Sequence, residues 1–164
     1  MPTHTQRIYV HATPEEVWDG LTSPEQIAKY GYGGAVECDW RPGSPYVAKA
    51  TPEMLQFGAP EVMVDGRVLE ADAPKRLVHT WRLNYEGPGD EPHSTVTYEL
   101  EAGRAGVTKL TTTFDAPDDA PISYGITSGA IADAGGGFPL VLSDLKTLLE
   151  TGSPLPSQLG MPGE

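Results

Sequence analysis

His79 and Trp81 stand two residues apart in Leu77-Val78-His79-Thr80-Trp81, a spacing that puts both side chains on one face of a strand. With that face turned inward, His79 is a hydrogen-bonding or acid–base group beside an aromatic wall. Tyr98 is a second candidate for proton transfer, and Arg82 a further polar group for such a pocket. The remaining histidines, His4, His11 and His93, are scattered, with no partner at helical spacing and no cysteine pair, so the sequence predicts no metal centre. Cys38, the only cysteine, alternates with Val36 and Trp40 and reads as a small buried residue rather than a nucleophile. Glu37/Asp39 and Glu70/Asp72 are strand neighbours that face solvent, a poor arrangement for paired acid–base work. No serine sits in a Gly-x-Ser-x-Gly elbow. Gly33-Gly34 and Gly135-Gly136-Gly137 lack the Lys-Ser/Thr ending of a phosphate loop and read as turns.

What is left is apolar and aromatic. Tyr30, Trp40, Trp81, Tyr98, Phe114 and Phe138, with Leu142 and Leu145, are the candidate ligand-binding residues, and no cofactor is called for. The competing reading of the same residues is an ordinary filled core. Mostly apolar walls with a few polar groups are what a small-molecule pocket needs.

The chain of 164 residues is long enough to bury a sizeable core as one domain, residues 5–151, followed by a flexible tail, residues 152–164, of Ser, Pro and Gly with little apolar content. No apolar run approaches the ~20 residues of a membrane-spanning helix. The start lacks a signal-peptide pattern, and a lone cysteine suits a reducing cytoplasm, so a cytoplasmic location is expected. The net charge of −12, with no Lys/Arg cluster to reverse it locally, argues against nucleic acid as a partner. A monomer or weak homodimer holding a hydrophobic small molecule is expected.

Those side chains need elements to position them. Gln6 to His11 alternates as a first strand, with Ile8 and Val10 on one face. Thr13-Pro14-Glu15-Glu16 then opens a helix with a capping box, and Ser23-Pro24-Glu25-Gln26 repeats the device ten residues on, placing Val17, Leu21 and Ile27 on buried sides. From Ala35 the period changes to two. Val36, Cys38 and Trp40 mark a strand continuing to Arg41, Tyr46 to Ala50 a returning one, and hairpins follow at Glu61–Ala71/Lys75–Leu83 and Ser94–Glu101/Val107–Phe114. About seven antiparallel strands result, enough for one sheet. Helical spacing returns at Phe138, Val141, Leu142, Leu145, Leu148 and Leu149, with Ser143, Asp144, Lys146, Thr147 and Glu150 opposite and Gly152 as the stop. Ser123 to Ala134 reads as an earlier part of that helix, broken by a kink or loop because each glycine of Gly135–Gly137 costs ~1 kcal/mol against alanine. The long helix must bury its stripe, and the concave face of the sheet is its partner, giving an α+β fold.

The order strand, two short helices, six strands, long helix resembles the START-like superfamily, also called SRPBCC or helix-grip. Within it, "ATPEEVWDGLTSPEQIAKY", "GRVLEADAPKRLVHTWRL" and "FPLVLSDLKTLLETGSPL" are similar to the opening, central hairpin and closing helix of the branch named for the activator of heat-shock protein 90 ATPase. The resemblance spans roughly Thr5 to Pro156, and its motifs are packing residues and caps rather than chemistry. Relatives often carry a tryptophan near the start of the last helix, where this chain has Phe138. The resemblance implies a cavity between a curved sheet and the closing helix. Three functions stay open: binding of a lipid, polyketide or aromatic metabolite; a cyclase- or hydrolase-type enzyme using His79 or Tyr98; and a chaperone-associated or toxin-sequestering interaction protein.

Overall fold

The computed structural model describes residues 2–32, 34–84, 91–131 and 136–156. Among them, seven strands form one antiparallel sheet in the order β1-β7-β6-β5-β4-β3-β2. In chain order, β1 is Thr3–His11, α1 Pro14–Thr22, α2 Pro24–Ile27, β2 Ala35–Cys38 and β3 Pro45–Lys49. α3 is Pro52–Gln56, β4 Val62–Asp72, β5 Arg76–Leu83, β6 Ser94–Ala102 and β7 Val107–Asp115. α4 is Pro121–Ser128 and α5 Gly137–Thr151. This is the expected α+β helix-grip architecture. No helix among the described residues is long and apolar enough to cross a membrane.

The two early helices start where their caps predict. Thr13 Oγ1 accepts the Glu16 N–H at 3.1 Å while Glu16 Oε1 accepts the Thr13 N–H at 3.2 Å, a complete capping box. Ser23 begins α2 by accepting the Gln26 N–H. The strand pattern follows the alternation: Thr108, Leu110, Thr112 and Phe114 of β7 are buried, and Ile8 and Val10 of β1 lie opposite Leu110 and Thr108. Gly152, with φ 86°, ends α5 in a left-handed turn that non-glycine residues rarely adopt.

Four expectations need correction. β2 stops at Cys38 instead of running to Arg41, because Trp40 takes a left-handed backbone (φ 55°) that no strand continues through. α3 was not expected, although Thr51-Pro52-Glu53 repeats the Thr13-Pro14-Glu15 signal and Thr51 Oγ1 accepts the Met54 N–H at 3.2 Å. α4 is a separate helix that ends at Gly129 (φ 80°), not an early part of α5. Residues 132–135, over which the earlier part was expected to extend, lie outside the described residues, as do residues 157–164 of the expected tail. Asp144 is buried rather than on the solvent side of α5, its carboxylate accepting the Gly31 N–H at 2.7 Å and the Leu155 N–H at 2.8 Å.

The packed core lies under one end of the sheet. Val10 from β1, Leu110 from β7 and Leu100 from β6 meet Val17 and Leu21 of α1 and Leu142 and Leu145 of α5. Packing there is close: a Cβ added at Gly20 in α1 would come within 2.9 Å of the Leu145 side chain.

Candidate functional site

Over the other strands the concave face stays open, and a cavity of about 590 Å³ lies there, within the size range of sites for drug-sized molecules. Its floor is the inward row of β5, Leu77, His79, Trp81 and Leu83, continued by Val64 of β4 and Tyr46 and Ala48 of β3. Tyr98 of β6 bounds it on the packed side. Its roof comes from Phe138 and Val141 of α5 and Ile126 of α4, and its mouth from Tyr30, Gly31 and Tyr32 after α2 and Met54 of α3.

Of the residues expected to bind a ligand, Tyr30, Trp40, Trp81, Tyr98 and Phe138 line this space, and His79 lines it with them. Phe114, Leu142 and Leu145 do not. Phe114 is wholly buried behind the wall, its ring centroid 5.5 Å from Trp81 and 6.1 Å from Phe138, so it braces two lining rings without reaching the cavity. Leu142 and Leu145 point from α5 into the packed end. Arg82 is also displaced: with the side-chain period of two it sits on the opposite sheet face from Trp81, bound to Asp65 at 3.2 Å. Asn84 and His93 complete that outer cluster at 2.7 Å each from the same carboxylate, and these partners hold Asp65 below the usual carboxylate range against the opposing effect of burial.

Tyr30, Tyr46, Tyr98 and His79 are polar groups of the cavity wall, and Tyr32, Lys49 and Thr127 also line it. His79 is 2% exposed and its ring stacks on Tyr46, centroids 4.3 Å apart. Its Nδ1 lies 2.9 Å from the Thr80 carbonyl oxygen, which can only accept, so Nδ1 carries the proton and Nε2 the lone pair. Burial lowers its pKa to about 4, the Thr80 bond opposing only in part, and the ring is neutral at pH 7. The Tyr30 hydroxyl donates to the Gly20 carbonyl at 2.8 Å. Burial first, then neighbouring groups, raises the phenols of Tyr30 and Tyr98 well above the usual tyrosine range and that of Tyr46 to about 12. All the ring groups of the wall are therefore uncharged. Among the described residues no cluster of His, Cys, Asp and Glu could hold a metal ion.

Tyr46, Met54, Glu91 and Asp144 were missed from the sequence. Tyr46 alternates with Ala48 and was within reach of the period-two argument. Met54 follows the overlooked Thr51 cap. The other two act over long separations. Glu91 accepts the Ile122 and Ser123 N–H groups, each at 2.9 Å, and so caps α4, whose own N-cap Ala120 offers no side chain for the purpose. Asp144 ties the Gly31 segment at the cavity mouth to α5.

The family model described as Activator of Hsp90 ATPase homolog 1-like protein matches residues 11–150. No curated protein gives a significant match. Among solved structures, protein MLL2253 from Mesorhizobium loti superposes with a TM-score of 0.69 at 23% identity, over 90% of this chain and 96% of its own. The Aha1 dimer from Colwellia psychrerythraea gives 0.67 at 18% identity, over 93% and 98%. DynU16, a protein in the dynemicin biosynthetic locus, gives 0.67 at 24% identity, over 93% of this chain but 48% of its own. At these identities the likeness is one of fold.

Proposed function

This chain belongs to the Activator of Hsp90 ATPase homolog 1-like family, and from that footing we propose that it is a binding domain for an apolar small molecule held between the sheet and α5. One observation carries the reading: a cavity of about 590 Å³ walled mainly by Trp40, Trp81, Phe138 and aliphatic side chains, with no carboxylate among the described lining residues. The place of DynU16 in a biosynthetic locus supports a small-molecule role. The enzyme reading is the weaker one. A histidine with a pKa of about 4 has no proton to donate from Nε2 at neutral pH and is a feeble base, and the raised phenols hold their protons. Residues 5–151 form the binding domain, and one chain supplies the whole site, so a monomer or weak homodimer suffices.

The test is equilibrium dialysis of fluorene, a rigid apolar probe, against the protein and against Val141→Trp. Val141 faces the cavity from α5, so the added indole occupies ligand space instead of pressing into packed atoms. The parent binds fluorene, and the variant keeps its stability while losing at least about tenfold in affinity, or ~1.4 kcal/mol. A parent that takes up no fluorene removes the proposed function.

A further inference from the structure

Most polar side chains of the described cavity wall have partners within the protein. Tyr30 is spent on the Gly20 carbonyl and His79 Nδ1 on the Thr80 carbonyl. The Tyr32 hydroxyl accepts the Gly137 N–H at 3.4 Å, and Thr127 donates to the Ser123 carbonyl at 2.8 Å. Lys49 is held by Glu37 at 3.1 Å. Besides the indole N–H groups of Trp40 and Trp81, two hydroxyl donors are left over. The Tyr46 and Tyr98 hydroxyls have no hydrogen-bond partner among the described residues, yet neither oxygen is sealed off, because its free surface opens into the cavity. They flank one ring: Tyr46 is stacked on His79, and Tyr98 stands 6.0 Å from it on the other side. A hydroxyl that faces the cavity without a protein partner is free to donate to a ligand that supplies the acceptor.

We propose that the Tyr46 and Tyr98 hydroxyls are the polar anchor of this cavity, and that its ligand is an uncharged, largely apolar ring molecule with a carbonyl-type oxygen seated on them. The proposal rests on the binding reading above and adds the chemistry of the ligand. A neutral acceptor oxygen suits neutral hydroxyl donors of this kind. Among the described residues that line the cavity an anion finds no unpaired cation, since Lys49 is paired with Glu37 and Arg82 lies on the outer face, and the net charge of −12 opposes its approach. A cation finds no carboxylate among the described residues that line the cavity.

Three probes of one shape separate these outcomes: fluorene, 9-fluorenone and fluorene-9-carboxylate, measured by equilibrium dialysis at pH 7 with the protein and with the double variant Tyr46→Phe/Tyr98→Phe. The fluorenone-to-fluorene affinity ratio of the protein exceeds that of the double variant by about tenfold, the size of a buried neutral hydrogen bond or two. The carboxylate binds the protein more weakly than fluorene. The infrared carbonyl stretch of bound fluorenone falls below its value in hexane, and returns toward it in the variant. Fluorene binding with no excess ratio, or with an unshifted carbonyl stretch, overturns the anchor and leaves the binding reading standing. Failure of all three probes to bind overturns both. Should the double variant not fold, the carbonyl stretch in the unaltered protein decides the matter.

Discussion

Over β1, β7 and β6 the concave face of the sheet is filled, whereas over β5, β4, β3 and β2 it is empty. Both regions present the same sort of inward row: Leu110 and Phe114 on β7, Leu77 and Trp81 on β5. The difference lies in what comes down from above. α1 and α5 reach the first region with Val17, Leu21, Leu142 and Leu145, and close the gap between helix and sheet. Only Phe138, Val141 and the ends of shorter elements reach the second. One helix of fifteen residues is too slender to cover seven strands, and the uncovered strands keep the cavity.

The sharpest way to break this contrast is truncation in both regions. Phe114→Ala costs about 3–5 kcal/mol because its neighbours cannot collapse into the hole. Val141→Ala, on the cavity wall, costs less than about 1 kcal/mol, since little packed contact is lost there. Urea denaturation of the two variants measures both, and equal losses would mean the cavity side is as tightly packed as the other.

Acid should weaken the cavity side through His79. Its folded pKa, about 4, lies below the ordinary histidine value of 6.5, so between these values the unfolded chain binds more protons and stability falls as pH falls. Its contribution is complete above about pH 6.5 and shrinks by roughly 2–3 kcal/mol on going down to the folded pKa. Denaturation at pH 7.0 and 4.5 should show a loss for the parent that exceeds the loss for His79→Gln by that amount.

Asp144 joins the two regions, and Asp144→Asn sharpens the comparison further. The change replaces one acceptor oxygen with an N–H₂ that faces another N–H, at a cost of about 1–3 kcal/mol. Amide exchange at Gly31 speeds up more than at Leu110, because the mouth segment loosens while the packed end holds. The smallest effect separates two caps of the same design. Thr13→Ala removes a capping box over the filled region and lowers global stability by ~1 kcal/mol. Thr51→Ala frays the five-residue α3 at the cavity mouth, raising exchange at the Met54 amide with a smaller change in global stability.

Features set by near neighbours were legible in the sequence. The Thr13 and Ser23 caps, the alternation of β5 and β7, and the stop at Gly152 each depend on residues within about four positions, where backbone geometry and side-chain reach decide the outcome. The same rules applied at Thr51 would have found α3. Periodicity also brought His79, Trp81, Tyr98 and Phe138 to the correct face. It could not separate a residue facing atoms from one facing space: Phe114 and Phe138 look alike in sequence, as do Leu142 and Val141, yet one of each pair is packed and the other lines the cavity. That distinction depends on how far α5 extends over the sheet, a property of elements distant along the chain. Long-range partners likewise removed Arg82 to the outer face, buried Asp144 against Gly31 and set Glu91 on the start of α4. A polar side chain reads as solvent-facing until the fold brings a backbone N–H to it, and only the tertiary structure supplies that partner.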